Sequence, residues 1–205
     1  MFGGFGGAGA PDRLIDALAD FGVGSLTGIA NHTGKGEGGF TRLLLNGQIR
    51  KMIAAYPFHR NSHVFRQLYD DGKIVLESVP QGTLAERIRV AGAGIPAFFT
   101  PTGAGTVVAE GKEVRRFGDR ECLLEIALHA DFALIHAKRA DRLGNLVYSK
   151  TGRNFNPIMA AAARMTIAEV EEIVETGDLD PESNVTPFPH VDRLVEVGSH
   201  DHRIN

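Results

Sequence analysis

A glycine-rich run near the start of the chain has the spacing of an anion-binding loop. Gly4-Phe5-Gly6-Gly7-Ala8-Gly9 fits the pattern G-x-G-x-x-G, and Pro11 with the apolar spacing after it predicts a helix directly behind the run. Residues without a Cβ let a ligand approach the backbone, and free N–H groups at a helix N-terminus favour negative charge. A dinucleotide site would also need an acidic residue at the end of the next strand, where Asn31 stands. The glycines could instead let the helix pack closely on its strand.

Two side-chain amides follow predicted strands further along the chain. Asn31 ends one apolar run, and Gln81 lies in Val79-Pro80-Gln81-Gly82 after another. The carboxyl ends of parallel strands meet at one rim of a sheet, where open α/β proteins bind ligands. An amide both donates and accepts hydrogen bonds. We therefore predict a site built from neutral donors, with the alternative that Gln81 only satisfies the backbone of its turn.

The sequence lacks a convincing nucleophile or metal site. There is no G-x-S-x-G motif for acyl chemistry. His59 and His63 are four residues apart but have no accompanying third ligand, so we predict a surface helix and no metal. Cys122 lies in an apolar run and is interpreted as a packing residue. Either the protein binds without catalysing, or its nucleophile comes from another chain.

Composition narrows the class of protein. The chain has 205 residues, 43% of them hydrophobic and 23% charged, which is typical of one globular domain. A formal charge of -3 argues against nucleic acid as a partner. Its apolar runs fall short of the roughly 18 residues of a membrane span, and its opening does not resemble a signal peptide. We expect a cytoplasmic protein with no membrane association.

Helix and strand patterns alternate three times over the first part of the chain, which predicts an α/β fold. We expect an open, mainly parallel sheet with flanking helices in one domain over residues 1–197, with a small irregular β insertion and a polar tail over 198–205. Local signals predict helix N-caps at Asn61 and Thr83, a loop over 92–105 and a hairpin over 107–117 that turns at Gly111. Residues 166–174 fit either a helix or a buried strand.

Six ordered motifs resemble the alpha (A) chain of family I CoA-transferases, over a stretch from Gly3 to about Val195. They are the glycine run Gly3 to Pro11, Pro80 to Arg89 (PQGTLAERIR), Gly94 to Gly103 (GIPAFFTPTG), Asp131 to Ile135 (DFALI), Asp141 to Asn145 (DRLGN) and Arg153 to Pro157 (RNFNP). Family members usually carry a helix and a strand before the glycine run, whereas only Met1 and Phe2 precede it here. We therefore expect the natural chain to begin further upstream.

The resemblance implies that the nucleophile belongs to a partner. In this family the acyl-CoA thioester is attacked by a glutamate in a Ser-Glu-Asn-Gly motif of the beta (B) subunit, and this chain has no such motif. The expected protein is one half of a heterodimer or heterotetramer with a ping-pong reaction and with no catalytic nucleophile of its own. Coenzyme A is then a substrate, and no permanently bound cofactor is expected.

The family's site residues map onto the features already singled out. The CoA-contacting loop corresponds to Gly3, Gly4, Phe5, Gly6, Gly7, Ala8 and Gly9, and the active-site amides that bind substrate and oxyanion correspond to Asn31 and Gln81. The resemblance points to succinyl-CoA as donor and to a 3-oxo acid as acceptor, either 3-oxoadipate or acetoacetate. The alternative is a CoA- or acyl-binding protein of the same fold that does not catalyse.

Overall fold

The computed structural model describes residues 1–34, 36 and 38–198. The predicted tail therefore lies, apart from Gly198, outside the described residues. Five α-helices run over α1 Asp12–Phe21, α2 Phe40–Leu45, α3 His63–Asp70, α4 Gln81–Gly92 and α5 Asn156–Ala162. Ten strands run over β1 Leu26–His32, β2 Ile49–Tyr56, β3 Val75–Ser78, β4 Ala97–Thr100, β5 Val114–Phe117, β6 Arg120–Ile126, β7 Ala130–Asp141, β8 Leu146–Val147, β9 Ala163–Val174 and β10 Arg193–Glu196.

The strands form three hydrogen-bonded groups. Parallel pairs give the order β1-β2-β3, and a second group in the order β10-β9-β7-β8 is parallel except for β8. The third group, β4-β6-β5, is antiparallel and corresponds to the predicted small insertion. The α/β class with a mainly parallel sheet is therefore confirmed.

The first residues of the chain join the two parallel groups. Phe2 N–H donates to the Ile29 carbonyl of β1 at 2.9 Å, and Gly3 N–H donates to the Leu134 carbonyl of β7 at 2.9 Å. Leu134 N–H in turn donates to the Met1 carbonyl at 3.0 Å. Residues 1–3 thus lie as a short strand between β1 and β7, and the glycine loop starts from the middle of a continuous sheet.

Helices cover both faces of this sheet because neighbouring strand residues point to opposite sides. On β2, Ile53 packs in the core formed with α4 and α5, whereas Met52 and Ala54 pack in the core formed with α1, α2 and α3. The central strands β7 and β9 are almost free of solvent along their middle residues. None of the described helices is long and apolar enough to cross a bilayer.

Two predictions for the region after α4 are wrong. Residues 107–117 do not form a hairpin: 107–109 are a short 3-10 turn, and β5 pairs with β6 across Gly118 and the residue after it. The predicted loop over 92–105 contains strand β4. All four residues of β5 are exposed, so the strand shows none of the alternation by which a hairpin is recognised in sequence.

The two predicted N-caps are also misplaced. Helix α3 begins after Ser62 and not after Asn61. Helix α4 begins at Gln81, directly after Pro80 with its extended backbone, so Thr83 lies inside the first turn. The ambiguous segment 166–174 belongs to strand β9, which suits its β-branched residues.

Candidate active site

The tip of the glycine loop is a tight hairpin. Phe5 and Ala8 exchange two backbone hydrogen bonds of 3.0 Å, and Gly6 and Gly7 between them have φ values of 59° and 93°. These angles match a type I′ turn, which glycine favours at both central positions. A Cβ built on either residue would meet no atom within 4 Å. The tip is therefore open to a ligand.

The base of the same loop is closed by packing. A Cβ on Gly3 would lie 1.8 Å from Asn156 Oδ1, and a Cβ on Gly9 would lie 2.3 Å from the Gly152 carbonyl oxygen. Neither position has room for a side chain. The base glycines thus allow close packing against Asn156 and Gly152, and not of α1 on its strand as the alternative supposed, whereas the tip leaves space beside the backbone.

Two asparagines, one just before α5 and one at its first residue, hold the base of the loop in place. Asn154 Oδ1 accepts from Gly4 N–H at 3.2 Å, and its Nδ2 donates to the Ala8 carbonyl at 2.9 Å. Asn156 is fully buried; its Nδ2 donates to the Gly9 carbonyl at 3.0 Å, and its Oδ1 accepts from His136 N–H on β7 at 3.1 Å. The asparagines thus pair with backbone groups of the loop base, which leaves the tip as the exposed part.

The first turn of α1 already uses a backbone N–H group within the protein. Glu169 of β9 is fully buried, and its Oε2 accepts from Leu14 N–H at 2.9 Å. Its other oxygen is buried and has no hydrogen-bond partner among the described residues. Burial raises the pKa of the Glu169 carboxyl to about 7. This hydrogen bond removes Leu14 N–H from the backbone donors that a ligand could use at the start of α1.

The two predicted amides meet at the rim of the sheet. Gln81 Nε2 donates to Asn31 Oδ1 at 2.7 Å, although the residues are 50 positions apart in the chain. Asn31 is 4% exposed at the end of β1, whereas Gln81 is exposed as the first residue of α4. Since Oδ1 of Asn31 accepts from Gln81, its Nδ2 is the group that can donate to a ligand.

A cavity of about 270 Å³ lies between the glycine loop and the turn that follows β1. Its wall includes Gly4 and Gly7 from the loop, Asn31 and His32 from β1, Asp12 from α1 and Phe40 from α2. The structure thus brings the loop and Asn31 together, and Gln81, which begins α4 after β3, is hydrogen-bonded to Asn31. Cys122 is buried on β6, away from these residues.

Sequence reasoning missed four polar residues of this region. Asn154, Asn156 and Glu169 contact the loop and the start of α1 across more than 140 positions of sequence. The motif RNFNP is one of those that carry the family resemblance, but its neighbouring residues in the sequence do not indicate that its asparagines contact the glycine loop. His32 follows Asn31 directly, and its position at a strand end is the available signal.

The chain is similar to known proteins over nearly its whole length. The family model described as Coenzyme A transferase matches residues 1–197. The A chain of a 3-oxoadipate CoA-transferase from Pseudomonas putida is 55% identical over 96% of this chain and 85% of that relative. The A chain of a succinyl-CoA:3-ketoacid coenzyme A transferase from Xanthomonas campestris pv. campestris is 53% identical over 98% of this chain and 83% of the relative.

A solved structure of an acyl-CoA transferase from E. coli O157:H7, in a thioester complex with CoA, shares the fold. Its TM-score is 0.81 at 23% identity, and the match covers 94% of this chain and 42% of that chain. This likeness shows the α/β fold that the two proteins share. The chain belongs to the Coenzyme A transferase family, and the resemblance carried by its motifs is confirmed.

Proposed function

We propose that this chain is the alpha (A) component of a heteromeric 3-oxoacid CoA-transferase, which moves CoA from succinyl-CoA to a 3-oxo acid, either 3-oxoadipate or acetoacetate. The observation that carries the proposal is the Asn31–Gln81 pair of amides beside the open tip of the glycine loop. The relatives described above are named as the A chains of 3-oxoadipate and 3-ketoacid CoA-transferases, which supports this substrate class and the existence of a second subunit.

The nucleophile is assigned to the partner subunit. A carboxylate oxygen of its glutamate, in a Ser-Glu-Asn-Gly motif, attacks the thioester carbonyl carbon, and CoA leaves as the thiolate. The thiolate then attacks the glutamyl carbonyl of the resulting anhydride, which releases succinate and leaves a glutamyl-CoA thioester. The 3-oxo acid carboxylate attacks this thioester, and the same two steps in reverse restore the glutamate. Charge balances because one carboxylate enters for each one released.

This chain supplies neutral donors to those steps. Every addition passes through a tetrahedral oxyanion, and N–H groups already fixed beside that oxygen lower the energy of the oxyanion. Asn31 Nδ2 is such a donor, because Gln81 fixes the amide through the 2.7 Å hydrogen bond. We assign Gly3, Gly4, Phe5, Gly6, Gly7, Ala8 and Gly9 to CoA binding, with the open tip at Gly6 and Gly7 as the point of closest approach.

A substitution of Gln81 tests the proposal in the protein purified with its partner subunit. Gln81→Ala removes the hydrogen bond that holds Asn31, so we expect turnover with succinyl-CoA to fall by about 100-fold, while size-exclusion chromatography shows an unchanged complex. Gln67→Ala is the matched control, because Gln67 is an exposed amide on α3.

Each outcome is informative. Wild-type turnover in the Gln81→Ala enzyme would contradict the role of the amide pair. Full activity of this chain without a partner would contradict the division of labour between two chains. Tight CoA binding by the wild-type pair without any transfer would instead support a binding protein of the same fold.

A further inference from the structure

Arg87 lies on helix α4, in the sequence motif that also contains Gln81, and the proposed reaction gives it no role. Its side chain is only 14% exposed. Nη1 donates to Glu77 Oε1 on β3 at 2.9 Å, and Nε donates to the Ile126 carbonyl at the end of β6 at 2.9 Å. Arg87 therefore joins α4 both to the parallel strand before it and to the antiparallel insertion.

The ion pair with Glu77 continues into the parallel sheet. Lys51 Nζ on β2 donates to the other carboxylate oxygen of Glu77, Oε2, at 2.7 Å. Strand β2 pairs in turn with β1, the strand that carries Asn31. A carboxylate that is bonded to a cation at each oxygen has little freedom to rotate. Arg87 is therefore attached, through Glu77, to the strands that fix the position of Asn31.

Gln81 lies inside the segment that this ion pair closes. Glu77 and Arg87 are ten positions apart, and the turn after β3 and the first residue of α4, Gln81, stand between them. The N-cap residue of α4 is Pro80, whose ring has no acceptor for the N–H groups of the first turn. Residues six apart on a helix are separated by about 9 Å along its axis. A fixed Arg87 thus restrains the rotation and the axial position of the turn that carries Gln81.

We propose that Arg87 is a positioning residue for the reaction, which holds α4 so that Gln81 reaches Asn31. The inference rests on the proposed function, in which the 2.7 Å hydrogen bond between the two amides fixes the donor to the oxyanion. A displacement of about 1 Å breaks such a bond, and misplacements of this size at a reacting centre lower the rate strongly. The planar guanidinium binds two acceptors in fixed directions, which a lysine ammonium does not.

The same helix supplies a matched control. Arg89 forms an ion pair with Glu86 at 2.7 Å, and the two side chains are 50% and 39% exposed. Both residues belong to α4. Loss of this pair removes a positive charge from the helix without removing a bond to β3 or to β6.

The test is a double-mutant cycle in the complex with the partner subunit, with succinyl-CoA as donor and with acetoacetate and 3-oxoadipate as separate acceptors. Arg87→Met keeps an apolar stem and removes the charge and both hydrogen bonds. We expect it to lower kcat about 10-fold in the wild-type background, with KM for succinyl-CoA within about 2-fold. In the Gln81→Ala background it should lower kcat by less than about 2-fold, because the positioned amide is already absent. Arg89→Met should leave kcat near wild type.

Equal losses of kcat in the two backgrounds would show that Arg87 acts independently of Gln81 and would overturn the inference. An unchanged kcat in Arg87→Met, or an effect confined to KM, would overturn it as well. Arg87→Lys keeps the charge but not the two fixed bonds, so it takes the place of Arg87→Met in the cycle if that variant does not fold. Wild-type turnover in Gln81→Ala would contradict the proposed function itself, whereas equal losses beside a slow Gln81→Ala enzyme count against Arg87 alone.

Discussion

Replacing the buried Glu169 by glutamine should remove a pH dependence from the stability of the protein. The carboxyl pKa is raised from 4.5 to about 7 by burial, so the folded state holds this proton more tightly than the unfolded state does. Below pH 4.5 both states are protonated. As the pH rises towards 7, the unfolded carboxyl ionises first and folding becomes less favourable. At 1.36 kcal/mol per pKa unit, the difference amounts to about 3 kcal/mol above pH 7.

Glu169→Gln keeps an oxygen that can accept from Leu14 N–H but has no proton to lose. We expect the variant to gain about 3 kcal/mol relative to wild type between about pH 5 and about pH 8, measured by urea unfolding at a series of pH values. Glu172→Gln is the control on the same strand, because its side chain is 57% exposed. If the difference in free energy of unfolding between wild type and variant stays constant across this pH range, the proposed buried and protonated state of Glu169 is refuted.

Two further predictions concern the glycine loop. Gly9→Ala should destabilise the fold by more than about 2 kcal/mol, because its φ is positive and the new Cβ meets the Gly152 carbonyl. Gly6→Ala should cost about 1 kcal/mol and mainly raise KM for CoA, because its Cβ meets no atom. Thermal unfolding and CoA titration of both variants separate the two effects, and equal losses of stability would contradict a closed base and an open tip. Asn156→Asp should raise KM for CoA about 10-fold because a carboxylate oxygen would face the Gly9 carbonyl oxygen; unaltered CoA kinetics in the folded variant would refute the positioning role.

Sequence periodicity is enough to predict the parallel sheet and the contact between the side-chain amides of Asn31 and Gln81. Strands whose apolar residues are buried on both faces stand out as short apolar runs between turn signals. The carboxyl ends of parallel strands must share a rim, so Asn31 and Gln81 are expected to lie close together, and their 2.7 Å contact agrees with this expectation. Their role in catalysis stays a prediction.

The other features of the fold and the site depend on contacts that neighbouring residues in the sequence do not indicate. Strand β5 is exposed at every residue and therefore looks like a loop. In sequence, the buried Glu169 looks like the exposed Glu172 and Glu175 that follow it, and only its burial and its hydrogen bond to Leu14 distinguish it. Likewise, the asparagines near α5 contact a loop that lies at the other end of the chain. Such pairings are fixed by the three-dimensional arrangement and not by neighbouring residues.

The short strand over residues 1–3 has a consequence for the order of assembly. It makes backbone hydrogen bonds to β1 on one side and to β7 on the other, across more than 130 positions of sequence in the second case. Contacts this distant form late, since the intervening chain must first be organised. A partly folded molecule would accordingly have no anchored loop, and the proposed contact with CoA would form only once the sheet is complete.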